Sequence, residues 1–206
     1  IFLSVVFVLS IAIFSYVKFA VFHNFPIMGD EYSAEFQARV MARGRLYADS
    51  PPMKEFFPSV CVVNDGKWYS KYTPGWPMLL SFGRVAGVEF VVCPLLASLT
   101  LVFLYFTAKR LAGATAGVVA MFFALFSPYF FLMAGTFYPH TAAGFFTLLY
   151  IYCLIRAKDE GRLIFSVIAG VASVMLVFIR PGDGLSVFLS MIAYVIFPPA
   201  SEKGKK

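Results

Sequence analysis

Residues 1–22, IFLSVVFVLSIAIFSYVKFAVF, form an apolar run of membrane-spanning length, and a short link after it carries the adjacent carboxylates Asp30-Glu31. About 20 apolar residues suffice to cross the hydrocarbon core of a bilayer. The run lacks a basic leader and an A-x-A-like cleavage site, so it reads as a span rather than a signal peptide. The chain starts with Ile inside this run, so it is expected to be the N-terminal part of a longer protein. Two carboxylates just beyond a span can act as a base, as acceptor ligands or as metal ligands.

The rest of the chain has the same character. Of its 206 residues 60% are hydrophobic and only 14% charged, against about 25% charged in an ordinary soluble domain. Further apolar runs fall at 90–108, 114–131, 141–155, 163–179 and 185–197, giving six expected spans and an all-α, polytopic membrane helix bundle. Pro128 falls late in the third run, Pro139 precedes the fourth, and Gly184 and Pro198 bound the last. Cys61, Cys93 and Cys153 form no disulfide framework and no zinc spacing. Gly113-x-x-x-Gly117 reads as close helix packing.

Lys109 and Arg110, then Arg156, Lys158 and Arg162, then Lys203, Lys205 and Lys206 all fall on one side of this arrangement. By the positive-inside rule that side is the cytoplasm, which puts the segment 23–89 outside. The net charge of +6 is then a topological signal, and no nucleic-acid partner is expected. The segment 23–89 is thus expected to face away from the cytoplasm.

Seven of the eleven acidic residues, Asp30, Glu31, Glu35, Asp49, Glu55, Asp65 and Glu89, lie in that outer segment, which makes it the place to look for chemistry. Tyr32, Phe36 and Val40 recur every four residues, with Glu35, Arg39 and Arg43 on another face, predicting an amphipathic interfacial helix. Asp30 is placed to cap it, Glu31 to occupy its first turn and Gly44 to end it. Asn64-Asp65-Gly66 between apolar flanks predicts a small hairpin. In KYTPGWP (71–77), Pro74 and Pro77 forbid a continuous helix, and 78–88 reads as an interfacial or re-entrant helix. Trp68, Tyr69, Tyr72 and Trp76 suit an aromatic belt at the headgroup level.

Helix capping is the plain reading of Asp30-Glu31, and a rigidly held cap residue is also a preorganised base. Lys71, among aromatics and prolines, suits a phosphate oxygen or snorkels to the interface. Arg39 and Arg43 can face an anionic headgroup, although a solvated face is the plainer reading. His140, in FYPHT, and Arg180, in IRPGDG, fall on the same side as Asp30. An Arg180–Asp183 pair closing a tight turn is the simple account of the latter. No ionisable residue lies near the middle of a proposed span, which disfavours a transporter. No GxxxxGK[ST], GxSxG or HExxH motif is present.

The order of an apolar helix, GDEYSAEFQARVMARGRLY, a Pro-rich turn and KYTPGWPMLLSFG resembles the integral-membrane glycosyltransferases of the GT-C superfamily, in particular the protein-O-mannosyltransferase and aminoarabinose-transferase-like branch. FYPHT and IRPGDG are similar to short outer-loop motifs of bacterial members. The resemblance covers nearly the whole chain, 1–206, as the N-terminal part of such a transmembrane domain. It implies a polyprenyl-phosphate sugar donor, a lipid, glycan or protein acceptor, contact with membrane lipids, and transfer on the outer face without a nucleotide. It further implies that Asp30 is the base or acceptor-orienting carboxylate, that Glu31 supports it, and that Lys71 neutralises donor phosphate. Tyr72, Arg39, His140 and Arg180 are the further candidates for holding the donor. The family's first outer helix can carry an arginine three residues after the aspartate, where this chain has Ser33. No cofactor is assigned, since two adjacent carboxylates make a thin metal site. A noncatalytic lipid-binding or assembly protein of the same architecture is the competing reading.

Overall fold

The computed structural model describes residues 1–196. Lys203, Lys205, Lys206 and Pro198, used above for topology and for the end of the last span, lie outside the described residues. Nine α-helices occur among those described: α1 (Phe2–Ala20), α2 (Gly29–Met41), α3 (Gly75–Val85), α4 (Glu89–Ala112), α5 (Ala114–Leu125), α6 (Pro128–Met133), α7 (His140–Glu160), α8 (Leu163–Ile179) and α9 (Pro181–Ile196). The molecule is an all-α polytopic membrane bundle. Helices α1, α4 and α7 are long and apolar enough to cross a bilayer, and α5, α8 and α9 are shorter apolar helices. At 1.5 Å per residue α1 measures about 28 Å, close to the hydrocarbon thickness.

Helix α4 is central, packing on α1, α5 and α7, and α7 continues the row to α8 and α9. The remaining helix surfaces are apolar and unburied. In α8, Leu163, Ile164, Val167, Val171, Val174 and Phe178 form an exposed stripe at helical spacing, the surface a span presents to lipid. At the end of the bundle away from the outer segment, Arg110 reaches Asp159 at 2.9 Å and Arg156 reaches Glu160 at 2.7 Å. Arg110 therefore ties α4 to the end of α7, while Arg156 pairs within α7 itself.

The third expected span is two helices. Pro128 has no N–H to continue α5, so it opens α6 at the first helical position, with the Ser127 hydroxyl accepting from Phe130 N. Gly113 and Gly117 do different jobs. Gly113, at φ 91°, makes the turn between α4 and α5, whereas a Cβ on Gly117 would stand 2.8 Å from the Tyr105 carbonyl oxygen.

The outer segment folds onto the bundle end. Strands β1 (Ala48–Asp49), β2 (Val62–Asp65) and β3 (Lys67–Ser70) form a small antiparallel sheet in the order β1-β3-β2, so the expected hairpin has a third strand. KYTPGWP does not break the helix where the prolines stand. Pro74 caps α3 and Pro77 lies in its first turn, where a missing N–H costs no helical bond.

Two sequence readings are corrected by packing. Of the expected apolar face of α2, Tyr32 is exposed and Phe36 half-buried, while Val40 joins Glu31, Ser33, Ala34, Glu35, Gln37 and Ala38 on the buried face. Each polar member of that face has a partner. Ser33 donates to the Cys61 carbonyl at 2.6 Å, Gln37 bridges the Leu46 carbonyl and Ser70 N, and Glu35 accepts from Arg39 and Arg84. Satisfied polar groups bury at small cost, so α2 docks on α3 by its small and bonded side. Trp76, placed in the aromatic belt, is 2% exposed and belongs to the core with Ala34, Ala38, Leu80 and Phe137. Its indole N–H donates to the Phe137 carbonyl at 2.7 Å.

Gly75 fixes how α3 meets the end of α8. A Cβ there would lie 2.6 Å from the Phe178 carbonyl carbon and 2.8 Å from Ile179 N, both backbone atoms. Gly75→Ala is expected to cost about 1–3 kcal/mol, the usual penalty of overpacking. It should lower both the thermal midpoint of the purified protein and its activity, because α3 and the end of α8 both line the cavity described next.

Candidate active site

The ends of α2, α3, α7, α8 and α9 surround a cavity of about 360 Å³. Asp30, Lys71, Tyr72, His140 and Arg180 line it, together with Thr73, Trp76, Tyr138 and Pro139. Five residues separated by up to 150 positions thus share one concave surface. Arg39 is not among them. It stands on the other side of α2, bonded to Glu35 four residues earlier and away from the cavity.

Asp30 and Glu31 are divided by one step of helix geometry. The cap of α2 is Met28, not Asp30, and the capping is done by Glu31 from the third helical position. Its Oε2 accepts from Ile27 N at 2.8 Å and Met28 N at 3.1 Å, and its Oε1 accepts from Phe137 N at 2.7 Å. Glu31 is 2% exposed and has both oxygens engaged. Asp30, one residue earlier, points the other way and is exposed. The two carboxylates therefore do not converge as a joint ligand pair.

Asp30 Oδ1 accepts from the Tyr72 hydroxyl and from the Cys61 thiol, the latter at 3.3 Å. The bond to Asp30, followed by that to Cys61, raises the Tyr72 phenol above its ordinary range, so it remains a proton donor at any physiological pH. Tyr138 is also raised, first by burial and then by the charges of Glu31 and Asp30. Ser33, in place of an arginine, has its hydroxyl 2.7 Å from that of Ser70 and so joins α2 to β3 rather than facing the cavity.

The cations approach from two directions. The Lys71 ammonium lies 5.2 Å from the Tyr72 ring centroid, and its backbone N–H is anchored to the Cys61 carbonyl. Thr73 ties this segment to the end of α8 by donating to the Ile179 carbonyl at 2.8 Å. Arg180 follows directly and pairs with Asp183 at 2.8 Å. The pair spans the start of α9, with Pro181 as its first residue, rather than a free turn. His140 opens α7 beside Tyr138, and its Nδ1 is buried without a hydrogen-bond partner. A second cavity of about 340 Å³ adjoins, sharing His140 and Arg180 and lined deeper by Thr100, Phe130, Met133 and Leu148.

Cys61 escaped sequence reasoning because it lies in no recognisable pattern, and Tyr138, although part of FYPHT, because His140 was the residue of that motif singled out. Lys18 escaped for another reason. It is the only charge in α1, close enough to the helix end to pass for a snorkelling lysine, yet it is fully buried.

A bundle of apolar helices with a polar cavity at one end defines an integral-membrane protein whose polar chemistry is gathered at a bundle end. The family model described as dolichyl-phosphate-mannose-protein mannosyltransferase matches residues 78–206. The chain belongs to this family and is a membrane glycosyltransferase of the GT-C type. No curated protein and no solved structure matches it. The matched region holds the Tyr138, His140 and Arg180 walls of the cavity, while Asp30, Glu31 and Lys71 precede it.

Proposed function

We propose that the enzyme transfers a sugar from a polyprenyl-phosphate donor to an acceptor hydroxyl on a lipid, glycan or protein, in the cavity bounded by Asp30, Lys71, His140 and Arg180. The observation that supports this reading is the composition of that one cavity: an exposed carboxylate together with a lysine, an arginine and a histidine, at the end of a membrane bundle.

Asp30 takes the proton of the acceptor hydroxyl as its oxygen attacks the anomeric carbon. Tyr72 and Cys61 hold the carboxylate in place. As the bond to the phosphate oxygen breaks, negative charge grows on the leaving polyprenyl phosphate, and Lys71 and Arg180 balance it. A single displacement inverts the anomeric centre, and Glu31 is unavailable as a covalent nucleophile because its oxygens accept three backbone N–H groups. The adjoining cavity, with Phe130, Met133 and Leu148, suits the first isoprenoid units of the donor. The orientation is outward: the basic helix ends lie at the opposite pole of the bundle from the cavity, and by the positive-inside rule they face the cytoplasm of a bacterial inner membrane.

Purified full-length protein supplied with a radiolabelled polyprenyl-phosphate sugar and membrane extract as acceptor source is expected to produce labelled glycoconjugate and free polyprenyl phosphate. Binding of the donor without any turnover would instead support the noncatalytic lipid-binding reading. Chelation with EDTA is expected to leave the rate unchanged, because Lys71 and Arg180 supply the positive charge; loss of activity restored by a divalent ion would assign that role to a metal.

A further inference from the structure

Lys18 takes no part in the chemistry above, yet it is 0% exposed near the outer end of α1. Its Nζ donates to the Gly135 carbonyl at 3.4 Å and lies 3.3 Å from the centroid of the Phe137 ring. The backbone at Gly135 runs directly against α1, since a Cβ there would meet Lys18 N at 3.1 Å. The same short segment is held from two other helices. Glu31 of α2 accepts from Phe137 N and Trp76 of α3 donates to Phe137 O, both at 2.7 Å. The next residues are Tyr138, Pro139 and His140, all in the cavity wall.

A buried ammonium with a single carbonyl bond and an aromatic face is a costly way to fill space, and an apolar side chain would pack there more cheaply. What the charge adds is direction. It draws the Gly135 carbonyl and the Phe137 ring toward α1 while the carboxylate of Glu31 holds the neighbouring N–H from α2.

We infer that Lys18 is a positioning residue: with Glu31 it clamps the segment 135–137 and thereby sets where Tyr138 and His140 stand in the cavity. Only its catalytic consequence rests on the proposed function.

The test uses the full-length protein labelled with 5-fluorotryptophan, with the Trp76 resonance assigned through Trp76→Phe. Lys18→Met keeps length and removes charge. It is expected to shift or broaden the Trp76 resonance, which senses the Phe137 carbonyl, while Asp30→Asn leaves that resonance in place. In the transfer assay Lys18→Met should lower kcat/KM about tenfold or more. Combined with His140→Ala, its further cost should fall below about threefold, because both act through one wall. Phe137→Leu, which removes the ring from the ammonium, is expected to behave likewise and decides the matter if Lys18→Met does not accumulate. An unmoved Trp76 resonance in the variants, or costs of Lys18→Met and His140→Ala that simply multiply, overturns the clamp. A moved resonance in a protein whose wild type transfers no sugar leaves the clamp standing and removes the proposed reaction instead.

Discussion

Asp30→Asn in the full-length enzyme is expected to reduce sugar transfer by about 10²–10⁴-fold, the range a positioned general base contributes, with little change in folding. The substitution is nearly isosteric, and the amide oxygen can still accept from Tyr72 and Cys61, so both donors keep a partner. What is lost is the capacity to accept the acceptor's proton. Asp30 is exposed, so no buried charge is left uncompensated. The measurement is initial rate against a radiolabelled polyprenyl-phosphate sugar, alongside thermal unfolding to show that the fold is intact. A variant with wild-type turnover would remove Asp30 as the base.

The second large effect belongs to its neighbour and should appear in stability. Glu31→Ala removes one acceptor from Phe137 N, which is buried, and another from Ile27 N and Met28 N, which are near water. A buried donor left without a partner costs about 1–3 kcal/mol, and loss of a helix cap about 1 kcal/mol more. The summed loss of about 2–4 kcal/mol should lower the midpoint of thermal aggregation in detergent by several degrees. Glu31→Gln keeps an acceptor oxygen and should lie between. If Glu31→Ala unfolded like the wild type while losing all turnover, Glu31 would belong to the chemistry instead of the frame.

The contrast between these two adjacent residues shows how far a sequence can be read. Both were legible as a pair of interest, because carboxylates directly beyond an apolar run are unusual. Their division of labour was not. It follows from a step of about 100° between successive residues of a helix, which turns Glu31 into the protein and leaves Asp30 facing the cavity. The same step split the expected face of α2, where Val40 is buried, Phe36 half-buried and Tyr32 exposed. An apolar stripe of Tyr32, Phe36 and Val40 is a sound predictor of burial in water, but beside a membrane an apolar side chain need not be inside the protein. The helix docked by its small and hydrogen-bonded residues together with Val40. Arg39 stands apart from the cavity for a related reason: nine residues on from Asp30 it falls on the opposite side of the helix, where Glu35, one turn earlier, pairs with it.

The sequence by itself determined the membrane class, an apolar helix in each expected run, three of them long enough to span, and the residues Asp30, Lys71, Tyr72, His140 and Arg180 as candidates, because apolar length and the placement of scarce polar groups are local properties of the chain. The third span, broken at Pro128, was readable only as a suspicion. The tertiary structure alone decided that those five residues line a single cavity and that Trp76 is core. It also decided that Lys18 is buried against the segment leading to His140. Each of these depends on contacts between segments tens of residues apart, made possible by the side-chain-free approach of Gly75 to the end of α8 and by backbone groups at 135–137 that only α1, α2 and α3 together can satisfy.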